Sequence, residues 1–165
     1  RVPDRKTSDL YTSTPELNSI TALAVNGETV PVQTDRGYVP ISREWKKGDV
    51  ISFVIPMEVQ TIIADERIEA DRGRIALRYG PMIYNVEKAD QADIDQVIGD
   101  SPLTAEWNNK MFGGIVTIKG KWSDGTDLLA IPNYLRLNRS AGAPATREGE
   151  QPRDWSPTSI VWIKK

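Results

Sequence analysis

Two β-prone runs flank an Asn-Gly pair: Ile20-Thr21-Ala22-Leu23-Ala24-Val25 before Asn26-Gly27, and Glu28-Thr29-Val30-Pro31-Val32 after it. Both central residues of the tightest hairpin turns need positive φ, which Asn and Gly accept at least cost, so the pattern predicts an antiparallel hairpin. The same punctuation recurs along the chain. Ser123-Asp124-Gly125-Thr126 parts a strand-like run at 115–122 from another at 128–131, which Pro132 closes. Residues 50–55 are mostly apolar and stop at Pro56, beyond which 57–64 continue; a proline cannot donate to a ladder and marks an edge or a bulge. Residues 74–79 alternate charged and apolar, Gly80-Pro81 turns the chain, and 82–86 resume. Residues 38–41 form a short extended piece, and 159–164 alternate as a last strand. Helix signals are poor: residues 89–98 start acid-rich but carry a thin apolar face, enough for one or two turns or a linker. The 12 Gly and 11 Pro are spread along the chain, as turns between many short strands require. The expected fold is an all-β, antiparallel β-sandwich of jelly-roll type. It is either one unit over residues 1–165 or two small sandwiches divided within 88–105. Residues 140–157, rich in Ala, Gly, Pro and charge, read as a long loop.

The chain contains 0 Cys and no His. That removes thiol nucleophiles, Ser-His-Asp triads, zinc sites with Cys or His ligands, disulfides and haem, so no cofactor is expected. Lys and Arg number 21 against 23 Asp and Glu, a net charge of −2, which gives no electrostatic case for nucleic acid or an anionic membrane as partner. No apolar run approaches the ~20 residues of a membrane helix. The polar start Arg1-Val2-Pro3-Asp4-Arg5-Lys6 has no initiator Met and reads as the beginning of a piece of a longer polypeptide, not as a signal peptide.

Three kinds of residue remain as chemistry. Glycoside hydrolysis needs only two carboxylates, and acids cluster at Glu66 with Glu69, at Asp90, Asp93 and Asp95, and at Asp124 with Asp127. Each cluster falls in a turn or linker, where acids are ordinarily solvated, so no catalytic pair is assigned. The same Asp groups offer oxygen to calcium but lack the spaced ligands and closing Glu of an EF-hand loop, so no metal site is assigned. Aromatics are third. A sugar ring packs its apolar face on a π-surface while polar neighbours take its hydroxyls. Trp162 alternates with Val161 and Ile163 and reads as a sheet-face residue; Trp45 precedes a Lys-Lys-Gly-Asp turn and reads as its staple to the sheet. Trp107 and Trp155 stand in loop-like surroundings and, with Tyr134, are the candidate sugar-binding residues. Gly113-Gly114 lacks the spacing of a phosphate loop.

An ordered set of these residues resembles a known family. It comprises Asn26-Gly27, Gly37-Tyr38 with Arg43-Glu44-Trp45-Lys46-Lys47-Gly48-Asp49, Ile55-Pro56-Met57, and Ala76-Leu77-Arg78-Tyr79-Gly80-Pro81 with Glu87. It closes with Ala130-Ile131-Pro132-Asn133-Tyr134, Asn138-Arg139 and Val161-Trp162-Ile163. The chain from about residue 20 onward is similar to the C-terminal β-sandwich region of bacterial proteins of glycoside hydrolase family 127, whose characterised members are β-L-arabinofuranosidases. The resemblance implies that catalysis belongs to an N-terminal (α/α)6 barrel carrying a Cys nucleophile, a Glu acid/base and a zinc held by Cys and Glu. A chain without cysteine can receive neither that nucleophile nor those thiolates, so no catalytic residue carries over.

The reading that follows is a non-catalytic accessory β-sandwich whose partner is the catalytic barrel of its own parent chain, with an exposed apolar strip where that barrel docks. The alternative is a carbohydrate-binding module using Trp107, Trp155 and Tyr134.

Overall fold

A computed structural model describes residues 2, 8–17, 20–138 and 158–165. Trp155 and the expected loop at 140–157 lie outside the described residues. The strands, in chain order, are β1 (Tyr11–Thr14), β2 (Ala22–Val25), β3 (Glu28–Thr29), β4 (Ile51–Val54), β5 (Val59–Ala64) and β6 (Arg74–Tyr79). There follow β7 (Met82–Glu87), β8 (Thr104–Asn108), β9 (Ile115–Lys121), β10 (Asp127–Pro132), β11 (Ser159–Ile160) and β12 (Ile163–Lys164). Two short 3-10 turns, Glu69–Asp71 and Asn133–Leu135, are the helical elements among the described residues.

The fold is all-β, and all of its strand pairs are antiparallel. A nine-stranded sheet runs β1-β5-β6-β7-β10-β9-β8, with β11 on β7 and β12 on β6; a three-stranded sheet runs β3-β2-β4. The larger sheet folds on itself at β6 and β7. These two strands pair only beside their turn, at Arg78 with Ile83 and Tyr79 with Met82, and then splay. The closing segment enters the gap: β11 pairs with the end of β7 at Val86 and Glu87, and β12 with the start of β6 at Arg74 and Ile75. The expected single strand at 159–164 is therefore two short strands with a bend at Val161-Trp162, because one straight strand cannot follow two diverging partners. Trp162 in the bend stacks on Tyr11 of β1, ring centroids 6.1 Å apart.

The core lies between the two halves of this sheet. Ile75 and Leu77 of β6 meet Tyr84 and Val86 of β7, Ile118 of β9, Leu128 and Ala130 of β10, Ile163 of β12, and Trp122 just after β9. Residues 88–103 run over this core with Ile94 buried in it. They form turns rather than helix, since the window 89–98 has no apolar stripe wide enough to hold one. Gln91 fixes the segment, donating to the Leu129 carbonyl at 2.9 Å and accepting from the Trp122 indole N–H at 3.1 Å.

The Asn-Gly hairpin forms as expected between β2 and β3, with φ of 52° at Asn26 and 85° at Gly27. The Gly48-Asp49 turn forms too: the Asp49 carboxylate accepts the Lys46 N–H at 2.9 Å and faces the Arg43 guanidinium at 3.6 Å. Trp45 does not staple that turn to the sheet; it is exposed, with the Arg43 guanidinium over its ring at 5.3 Å. Residues 38–41 make only a bridge, Tyr38 to Asp35. β1 and β8 carry too little apolar alternation to stand out in the sequence and form because β5 and β9 offer them paired edges.

Candidate functional site

The acid clusters are turn and ion-pair groups. Asp124 accepts the Thr126 N–H at 2.9 Å and its hydroxyl at 2.6 Å. Asp127 pairs with Lys121 at 2.6 Å, Asp95 with Lys164 at 2.8 Å, and Glu69 with Arg72 at 3.5 Å. Asp93 accepts the Asp95 N–H at 2.9 Å. A general acid needs a carboxyl pKa raised by burial or by a like charge. Here the shifts run the other way. Asp49, Asp65, Asp95, Glu106, Asp124 and Asp127 are all held below their ordinary values, first by hydrogen bonds donated to the charged form. A groove of about 610 Å³ lies between residues 97–103 and the Trp122 turn, and among the described residues Asp100 is the acidic side chain that lines it, beside Lys121 and Lys165. Among the described residues, no three acids gather as metal ligands.

A buried polar cluster joins β7 to the closing segment. Glu87, Asn85 and Ser159 are all buried. Asn85 donates to Glu87 at 3.3 Å and to Ser159 Oγ at 3.1 Å, and the Leu137 N–H donates to Glu87 at 2.6 Å. Arg136 donates to Ser159 Oγ at 3.0 Å and to its carbonyl at 2.9 Å. Alternation hides this group in the sequence, because polar residues on the second face of a strand read as solvent-facing. Its geometry ties strands together.

Trp107 and Tyr134 are each 67% exposed. Trp107 does not sit in a loop; it is in β8, opposite Val116 of β9. Tyr134 stands in the 3-10 turn just beyond Pro132, which pairs with Tyr84. The Tyr84 hydroxyl donates to the Val116 carbonyl at 3.1 Å, so all these residues share one end of the larger sheet. Burial, reinforced by Tyr134 and Tyr79, pushes the Tyr84 phenol up to about 12. The signal missed in the sequence is Gly114, whose backbone lies against the Trp107 ring: a Cβ there would come within 2.2 Å of it.

An exposed apolar strip exists, and it lies on β4. Leu23 and Val25 of β2 are buried, yet their register partners Phe53 and Ile51 are exposed. Val54 on the other face is exposed as well, and Val50, Ile55 and Met57 extend the strip. β4 is an edge, paired to β2 alone among the described residues.

Residues 59–145 match the glycoside hydrolase family 127 C-terminal domain, more than half of the chain, and residues 2–57 match the β-L-arabinofuranosidase GH127 middle domain. The chain belongs to glycoside hydrolase family 127. A non-reducing end β-L-arabinofuranosidase of Bifidobacterium longum subsp. longum is 23% identical over 144 residues, 84% of this chain and 20% of that protein. A GH127 β-arabinofuranosidase structure superposes with a TM-score of 0.75 at 24% identity, covering 96% of this chain and 25% of the other. A GH127 β-L-arabinofuranosidase from Geobacillus stearothermophilus T6 gives 0.70 at 24%, covering 94% and 27%. This GH127 chain thus spans a fifth to a quarter of the relatives it matches. The two domain matches meet between residues 57 and 59. They are not separate sheets, since β1, from the middle-domain match, pairs with β5 of the C-terminal match.

Proposed function

We propose that this chain is a non-catalytic accessory β-sandwich region, residues 1–165 acting as one unit, of a β-L-arabinofuranosidase-like glycoside hydrolase. It buttresses an (α/α)6 catalytic barrel supplied by the rest of the longer protein. The observation that carries the reading is the apolar strip on β4. Exposed apolar edges are what folded domains ordinarily blunt with charge or cover with another element. Ile51–Val54 contains no charged residue to blunt it, which favours covering by another element. The lowered carboxylates, and a groove lined among the described residues by one acidic side chain, favour a supporting role over a hydrolytic one. The test is twofold. The chain alone should not cleave a nitrophenyl β-L-arabinofuranoside, and turnover abolished by replacing an acid of this chain would overturn the reading. Co-expressed with a GH127 catalytic barrel, it should purify as a complex that Phe53→Lys disrupts.

A further inference from the structure

We propose that Trp107 is the platform of a binding site for a neutral oligosaccharide, with the loop 109–114 built to hold its ring. The other described tryptophans differ: Trp122 is 2% exposed, Trp162 is stacked on Tyr11, and Trp45, though exposed, has its ring under the Arg43 guanidinium. Trp107 differs in having one side backed and the rest open. The backing is the main chain of Gly114, close enough that a Cβ would fall 2.2 Å from Cζ2 and 2.9 Å from Cη2 of the indole. Three successive residues reach that geometry through positive φ: Phe112 at 52°, Gly113 at 77° and Gly114 at 120°. For Phe112 this is a strained conformation, and such strain persists where the surroundings hold it, often at ligand clamps. The loop is pinned at both ends, Asn108 Oδ1 accepting the Lys110 N–H at 3.0 Å and the Gly114 N–H donating to the Met111 carbonyl at 2.8 Å.

A rigid, exposed indole is suited to the C–H face of a sugar ring, because little side-chain freedom is left to lose on binding. Exposed Asn109 and Lys110 beside it carry the polar groups that a sugar's hydroxyls need. Tyr134 stands at the same end of the sheet about two strands away, some ~10 Å, as a second aromatic surface along an extended ligand. The acid nearest in sequence, Glu106, points to the opposite face and is paired with Lys119 at 2.6 Å, so it does not compete for the sugar's hydroxyls.

The test titrates the whole chain with an L-arabinofuranose-terminated oligosaccharide and, separately, a cello-oligosaccharide, read by calorimetry and tryptophan fluorescence. Saturable binding with Kd near ~1 mM is expected. Trp107→Ala, an exposed position, should keep the circular dichroism spectrum and weaken binding about tenfold or more. Gly114→Ala should weaken it while retaining the tryptophan, by displacing the ring. No saturable signal from either sugar to about 10 mM, or unchanged affinity in Trp107→Ala, overturns the proposal. The arabinose probe rests on the function proposed above. Binding of the cello-oligosaccharide alone upholds the platform and removes its link to arabinofuranosides, and released reducing ends in the same samples would instead overturn the non-catalytic reading.

Discussion

Asn26 and Asp49 bind two turns into one unit: the Asn26 amide donates to the Asp49 carboxylate at 2.8 Å, and its side-chain oxygen accepts the Val50 N–H at 2.8 Å. The hairpin after β2 is thereby clamped to the turn that launches β4. Asn26→Ala loses both bonds and places a Cβ-bearing residue with no such compensation at positive φ. Stability should fall by about 1–3 kcal/mol in urea unfolding.

Asp49 gives that clamp a pH dependence. The Lys46 N–H, then the Asn26 amide, and more weakly the Arg43 charge hold its carboxyl below the ordinary 3.8. A group whose folded pKa is depressed contributes stability above its unfolded pKa, and the contribution is lost as pH falls through the folded value. Between wild type and Asp49→Asn, the stability difference should therefore be constant above about pH 5 and shrink below about pH 4. A difference that grows on acidification would reverse the assignment.

Tyr84 titrates at the other end of the scale. Its phenol is pushed up from 10.0 to about 12 by burial first, then by Tyr134 and Tyr79. A raised folded pKa leaves stability intact below pH 10 and erodes it as pH climbs toward about 12. Ultraviolet titration should show a late-ionising tyrosine absent from Tyr84→Phe. The variant should also lose less stability than wild type between pH 10 and about 12.

Ser159 and Glu87 hold the closing segment. Glu87→Ala leaves the Leu137 N–H and the Asn85 amide without the oxygen they bond, and Ser159→Ala removes the acceptor of Arg136 Nε and Asn85. Each should cost about 1–3 kcal/mol. Hydrogen exchange should quicken first at Ile160 and Ile163, before the amides of β9. Uniform loss of protection would mean that the cluster supports the whole core rather than this latch.

The β4 strip makes the opposite prediction, because its side chains are not packed. Val50→Ser with Phe53→Ser should lower binding of a hydrophobic dye while changing stability by less than about 0.5 kcal/mol. A loss above about 2 kcal/mol would place Phe53 in a core.

Much of this fold is legible in local chemistry. Asn26-Gly27 fixes one hairpin through φ, and the strand expected at 74–79 has the bounds of β6, although Ile75, Ala76 and Leu77 are buried in succession rather than in alternation. What local pattern does not carry is partnership across the sheet. Thr104–Asn108 reads as loop because its polar residues dominate, yet β9 recruits it over five residues. Residues 159–164 alternate as one strand, yet diverging partners bend them. The site shows the same division: exposed Trp107 and Tyr134 could be named from residue type, whereas the Gly114 seat depends on how far the loop folds back.

The stitching of β11 and β12 between β6 and β7 has a consequence for synthesis. Arg74 donates to the Trp162 carbonyl at 3.1 Å, 88 positions downstream. Pairings so distant form late and slowly. During translation the two halves of the large sheet must wait, gap unfilled, until residues 159–164 clear the ribosomal tunnel.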